Sequence, residues 1–158
     1  MTTSAWIGAV LLLCASIYLG LGFSLVVLQF PGALATTRAE NFAERFGDPV
    51  RRAVAFFSVV SAIMVAGGIW LTVREWDESG RRWLPLLFVL LTVAATAFTV
   101  IAILPVNRAL YRDVPDEARF RALLGRWIRL NVVRAGFWVL EWLAIAGWFV
   151  WVAAGWDS

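Results

Sequence analysis

Four long, almost unbroken hydrophobic stretches alternate along the chain with short polar segments that hold most of the arginines. They cover residues 5–30, 53–73, 83–106 and 132–156, and the apolar part of the last begins at Ala135. Each reaches or exceeds the ~20 apolar residues that cross a ~30 Å hydrocarbon core. Inside lipid a backbone must satisfy its own hydrogen bonds, so runs of this length predict helices. The pattern predicts an all-α, antiparallel, four-transmembrane-helix bundle, a single integral membrane domain over residues 1–158. The second connection, Arg74 to Arg82, is short enough to make spans two and three an antiparallel hairpin. The first stretch is read as a span rather than a cleaved leader, although Ala33-Leu34-Ala35 resembles a cleavage site. It lacks a charged n-region and far exceeds the ~7–15 apolar residues of a signal segment.

Local signals refine the elements. Pro31-Gly32 is expected to end span one, and the Leu104 to Arg108 run, with Pro105, to end span three. Ser16, Gly20 and Ser24 form a small-residue stripe, expected to be a packing seam between helices. Thr92, Thr96 and Thr99 share one helix face and can return their hydroxyls to their own backbone. In the first connection Phe42 and Phe46 precede a Gly47-Asp48-Pro49 turn. That segment is either an interfacial helix dipping two rings into the bilayer or a plain connecting loop. In the third, Asp113, Pro115, Asp116 and Glu117 read as a helix start. Phe120, Leu123, Leu124 and Trp127 then recur at helical spacing beside Arg119, Arg126 and Arg129, which predicts a short amphipathic helix leading into span four.

Composition sharpens this picture. Hydrophobic residues make up 61% of the chain, against ~45–50% in an average soluble domain. All fourteen basic residues are arginine. Arg38, Arg45, Arg51 and Arg52 lie in the first connection, and Arg108, Arg112, Arg119, Arg121, Arg126, Arg129 and Arg134 lie in the third or at the start of span four. Only Arg74, Arg81 and Arg82 lie on the opposite side. The positive-inside rule therefore predicts a multi-pass cell-membrane protein with loops one and three cytoplasmic and both termini outside. The bilayer accounts for this charge, and nucleic acid is not needed as a partner. Of the ten tryptophans, Trp6, Trp70, Trp76, Trp83, Trp148, Trp151 and Trp156 are expected to form an outer interfacial belt, with Trp127 marking the inner boundary.

The chain has no histidine and a single cysteine, Cys14. That removes the usual haem ligands and the clusters that hold zinc or iron–sulfur centres, so no metal site is expected. Cys14 reads as a small packing residue. One constellation could carry chemistry. Trp127, Asn131, Arg134, Trp138 and Glu141 follow one another at spacings of three and four, so a helix places them on one face. Glu141 lies ~10 Å deeper than Arg134 at ~1.5 Å rise per residue. An acid inside a span costs ~2.5–3.5 kcal/mol even on gentle insertion scales and usually faces the bundle or water. The face is therefore expected to turn inward, toward Asn107 and the span-three threonines. In the functional reading Glu141 accepts a proton or contacts a ligand while Arg134 and Asn131 hold an anionic or oxygen-bearing group. In the structural reading Arg134 snorkels to the headgroups, Asn131 caps a neighbouring helix and Glu141 bonds a partner helix. Trp138 and Trp142 either stack on an aromatic ligand or face lipid.

The run Leu104-Pro105-Val106-Asn107-Arg108, followed by the basic connection and by Trp127 through Arg134, resembles the anthrone oxygenase-like family of small four-helix membrane proteins. Asn107, Trp127 and Arg134 match the family's Pro-hydrophobic-Asn and Trp-to-Arg spacing. The resemblance implies oxidation of a polyketide-type anthrone to a quinone without a cofactor. With histidine absent, Glu141 is the substitute for a histidine base. The expected function is binding, with cofactor-independent oxidation as the implied reaction, of a hydrophobic aromatic small molecule in a pocket on the cytoplasmic side. Glu141 and Arg134 would be catalytic, and Asn107, Trp127, Asn131 and Trp138 would bind the ligand. Two alternatives stay open: a non-catalytic subunit, meeting itself or a partner membrane protein, and a small transporter.

Overall fold

The computed structural model describes residues 3–77, 82–111 and 116–154, and for residues 43–45 and 47–52 the backbone alone. Trp156, Arg81, Asp113 and Pro115 lie outside the described residues. The elements are helices α1 (Thr3–Phe23), α2 (Phe30–Thr36), α3 (Ala39–Arg74), α4 (Trp83–Phe98), α5 (Leu104–Tyr111) and α6 (Glu117–Ala154). A π-helical turn, Ser24–Gln29, joins α1 to α2, and a second, Thr99–Ile103, joins α4 to α5. Among the described residues, four helical segments are long and apolar enough to cross a membrane: Thr3–Thr36, Ala53–Arg74, Trp83–Tyr111 and Glu117–Ala154. Only 28, 22, 28 and 28% of their most apolar windows is buried inside the protein. The remainder is an apolar outer surface, with residues such as Leu28, Val73 and Ile101 pointing outward, as lipid requires and water does not tolerate. The chain is a multi-pass, four-helix membrane bundle.

Several boundaries differ from the sequence reading. Neither Pro31 nor Pro105 ends its helix. Proline lacks an amide proton and its ring collides with the carbonyl four residues back. Here a wider turn precedes each ring: the amide of Phe30 bonds the Leu25 carbonyl and that of Leu104 bonds the Thr99 carbonyl, five residues back in both cases. Each proline then falls on the second residue after its π turn, and the helix continues. Gly47-Asp48-Pro49 is not a turn either, because α3 runs through it without a break. The Asn41 side chain accepts a bond from the Arg38 amide at 2.9 Å at the head of this helix. The amphipathic segment of the third connection is continuous with span four as α6, whose start is capped by Asp116 Oδ1 accepting from the Ala118 amide at 2.9 Å.

Successive spans touch, and α6 closes the bundle against α1 as well as α4. Two buried clusters fill the interior. One joins Leu11, Ala15, Tyr18, Met64, Phe88, Trp138, Ile145 and Trp148. The other, at the arginine-rich end, joins Phe30, Phe42, Ile103, Val106, Phe120, Leu124 and Trp127. Phe42 is thus a core residue under Phe120 and Trp127, not a ring dipped into the bilayer. Trp127 and Trp148 are also buried rather than interfacial, while Trp6, Trp70, Trp76 and Trp83 stay exposed.

The Ser16-Gly20-Ser24 stripe gives the seam between α1 and α6 one hydrogen bond, from Trp142 Nε1 to Ser16 Oγ at 3.0 Å, and no close backbone approach at Gly20. Ser16 and Gly20 are exposed, and a Cβ on Gly20 would meet nothing within 4 Å. The close approaches are at Gly8, where a Cβ would collide with the Trp148 ring, and at Gly22, where it would lie 2.8 Å from the Trp138 ring. Gly8→Leu is therefore expected to destabilise the bundle by about 1–3 kcal/mol through overpacking, whereas Gly20→Leu should leave stability nearly unchanged. Thermal unfolding of both variants in lipid nanodiscs checks this, and equal midpoints would reject the assigned seam.

Candidate functional site

Helix α6 places the predicted residues on its inward face because they recur every three or four positions along one unbroken helix. Trp127 is 5% exposed, Asn131 3%, Trp138 4% and Glu141 1%. Burial of a carboxyl group this complete decides the orientation left open by the sequence: Glu141 faces the bundle. Asn131 Nδ2 donates to the Trp127 carbonyl at 2.8 Å, a bond within its own helix rather than a cap on a neighbour. Arg134 Nη2 donates to Asn131 Oδ1 at 2.6 Å. The guanidinium carbon lies 4.6 Å from the centroid of the Trp138 ring, a cation–π stack. Arg134 thus folds along α6 onto two neighbouring side chains.

Three polar atoms stay unsatisfied here. Trp127 Nε1, Arg134 Nε and Glu141 Oε1 are buried and have no hydrogen-bond partner. No ion pair joins Arg134 to Glu141 among the described residues. A buried polar atom without a partner costs of order 1–3 kcal/mol, so a stable fold retains such atoms where something else compensates.

Asn107 is less closely tied to this group. It is buried on α5 between Val106 and Leu110, which pack in the cluster around Trp127. Among the described residues no hydrogen bond links its amide to Asn131 or Arg134. The threonines of span three hold themselves: Thr92, Thr96 and Thr99 donate to the carbonyls of Phe88, Thr92 and Ala95 at 2.9, 2.8 and 2.8 Å. Thr96 is exposed and does not line the interior. Trp142 points its Nε1 at Ser16 Oγ, 3.0 Å away on α1, rather than toward a ligand space beside the acid. The structure joins Trp127, Asn131, Arg134 and Trp138 by direct contacts, places Glu141 further along the same buried face of α6, and sets Asn107 in the layer around Trp127 at the arginine-rich end.

Two of the cavities among the described residues lie away from this face. One, of about 330 Å³, lies between Arg38, Ala39, Glu40, Glu117 and Arg121. The other, of about 160 Å³, is an apolar cleft among Ile69, Thr72, Val73, Trp76, Leu86 and Val89. Neither is lined by Glu141 or Arg134.

Sequence reasoning missed Tyr18. This α1 residue is 6% exposed, and its ring meets Trp138 edge-on, with centroids 5.0 Å apart and planes at 67°. Its hydroxyl donates to the Phe57 carbonyl at 2.9 Å and lies 2.7 Å from Ser61 Oγ, both on α3. It is within electrostatic reach of Cys14, Arg134 and Glu141. The available signal was a phenol in mid-span, whose hydroxyl needs a partner when buried. The partner residues on span two lie in no recognisable spacing to it.

A four-helix membrane bundle with an acid, an arginine and two indoles on the inward face of its last helix defines the class of protein. Residues 46–154 match the anthrone oxygenase family, and the chain belongs to it. No curated protein and no solved structure matches the chain. Asn107 and all five inward residues of α6 fall inside the matched region, and Tyr18 lies before it.

Because Glu141 Oε1 has no partner, Glu141→Met is expected to stabilise the folded bundle by about 1–2 kcal/mol, the usual gain when a strained functional group is replaced by an apolar one. The check is thermal unfolding in nanodiscs. An unchanged or lower midpoint would show that the carboxyl group has a structural role.

Proposed function

We propose that the inward face of α6 binds a flat, hydrophobic aromatic ketone of the anthrone type and promotes its oxidation by dioxygen without a bound cofactor. One observation carries the reading: a carboxyl group with an unpartnered oxygen, on the same buried face as a guanidinium with an unpartnered Nε. Desolvated charges aimed at a reacting molecule act more strongly than the same charges in water. An anthrone has an acidic methylene opposite a ketone in its central ring. Glu141 takes a methylene proton, and the carbanion left behind shares its charge with the ketone oxygen. Arg134 is the cation that holds this oxygen, with Asn131 steadying the guanidinium. The carbanion adds dioxygen, and the proton returns to give a hydroperoxide. Loss of water leaves the second carbonyl, so one methylene and one dioxygen give one ketone and one water. Trp127, Trp138 and the more distant Asn107 provide the flat apolar and amide surfaces. The arginine bias supports loops one and three in the cytoplasm and both termini outside, which turns the Arg134 end of the site toward the cytoplasm.

A second reading, a subunit that meets another membrane helix, is supported by the outward Gly20, where a close backbone approach is free. Oxygen uptake separates the two. Nanodisc-held protein given anthrone should consume oxygen and form anthraquinone in equal amounts, above autoxidation in empty discs. Glu141→Gln and Arg134→Ala should each lower kcat about 100-fold or more, the scale seen for loss of a positioned base or an oxyanion donor. Wild-type uptake no faster than empty discs would end the enzymatic reading.

A further inference from the structure

Between Glu141 and the arginine-rich end, one ring is contacted from several sides. Trp138 carries the Arg134 guanidinium on its face, 4.6 Å from the centroid. The Tyr18 ring meets it edge-on at 5.0 Å. Gly22, one turn further along α1, leaves the space the indole occupies: a Cβ there would stand 2.8 Å from the ring and 3.3 Å from the Ala135 Cβ. Helix α1 thus offers Trp138 both a wall and a recess. Tyr18 in turn is fastened to α3 by its hydroxyl, through the Phe57 carbonyl and Ser61. A phenylalanine would fill the same volume but could rotate and slide, whereas the anchored phenol fixes where its ring edge lies. The contacts run without interruption from Ser61 to Tyr18, Trp138, Arg134, Asn131 and the Trp127 carbonyl, linking three helices.

We propose that Tyr18 is a positioning residue of the Arg134–Glu141 site: it holds Trp138 in the orientation on which Arg134 rests, and so sets where the guanidinium meets a ketone oxygen. The geometric half of this stands on the contacts alone. The kinetic half rests on the function proposed above. Edge-to-face ring pairs and cation–π stacks are directional contacts and favour one side-chain arrangement over its neighbours.

The test uses the full chain in lipid nanodiscs with ¹⁵N-labelled arginine. The Arg134 Nε–H resonance, assigned by its loss in Arg134→Lys, is expected to be shifted by the Trp138 ring current. Trp138→Leu should remove the shift. Tyr18→Leu should move the resonance the same way, with Tyr18→Phe and Ser61→Ala giving smaller displacements in the same direction. A resonance at its wild-type position in Tyr18→Leu overturns the proposal. If that variant does not yield a monodisperse protein, an unmoved resonance in both Tyr18→Phe and Ser61→Ala overturns it instead. With anthrone as the probe, Tyr18→Leu should lower kcat about 100-fold, the penalty of a guanidinium displaced by roughly 1 Å, with KM little changed, and Tyr18→Phe should recover most of it. A loss confined to KM would assign Tyr18 to ligand binding and reject positioning. Should wild-type protein fail to oxidise anthrone, the function reading falls while the resonances still decide the role of Tyr18.

Discussion

Two indole rings set the spacing between the first and last helices, and the rest of the interior follows from them. Trp148 lies over Gly8 and Trp138 over Gly22, each where a single added carbon would collide. Lipid tails are as apolar as leucine, so helices in a bilayer associate by close packing rather than by escape from solvent. An indole laid on a bare stretch of helix makes that contact over a large area. With α1 and α6 held in this way, Leu11, Ala15, Met64, Phe88 and Ile145 close around the seam as one cluster. The same Trp138 that seals the seam also supports Arg134. Packing and site chemistry therefore share one side chain, so a change in the α1–α6 seam reaches the guanidinium.

The polar groups along the spans fall into two kinds. Most are satisfied locally: three threonines, Asn131, Ser58 and Ser16 bond a carbonyl four residues back on their own helix. Such bonds form whether or not a ligand is present and carry no signal of function. The second kind has an atom without a partner although the residue is deeply placed, and Glu141 and Arg134 share one helix face in that condition. In a medium with no water to compensate, this is the costlier state. Buried atoms without a partner also occur at Thr37, Arg82, Trp127 and Trp148, so what separates the site is that an acid and an arginine share the condition on one helix face.

The sequence carried the fold through a coarse signal. Four apolar runs of spanning length leave few architectures, and the buried face of α6 was legible because Glu141, the one acid within an apolar run, follows Trp127, Asn131, Arg134 and Trp138 at helical spacing. Finer features were hidden for physical reasons. Small residues mark places where helices can approach, but spacing alone does not say which stripe is used. Ser16-Gly20-Ser24 and Gly8-Ala15-Gly22 are both built of small residues, and it is over the second that Trp138 and Trp148 lie flush on the backbone. Tryptophan carries a similar ambiguity, since the residue that anchors an interface also fills a core. Trp6 and Trp83 are exposed while Trp127 and Trp148 are buried. Tyr18 escaped notice because its partners, Phe57 and Ser61, belong to another span, and no periodicity in one helix reports a contact with another.

The prolines complete the argument about rigidity. A sequence reading ends a helix at proline because one hydrogen bond is lost and the ring collides with the preceding turn. A π turn answers both problems by widening the helix just before the ring, and such turns are frequent at functional positions. In this bundle the device appears twice, at Ser24–Gln29 before Pro31 and at Thr99–Ile103 before Pro105. Both lie in spans that touch α6, and the segments beyond them carry Phe30, Val106 and Leu110 into the cluster around Trp127. The neighbours of the Trp127 end thus hang from two interrupted helices, while Asn131, Arg134, Trp138 and Glu141 sit on one unbroken helix. The chemistry-bearing face is held by the stiffer element. The aromatic layer between that face and the arginine-rich end is held by the elements whose hydrogen-bond ladders are already broken.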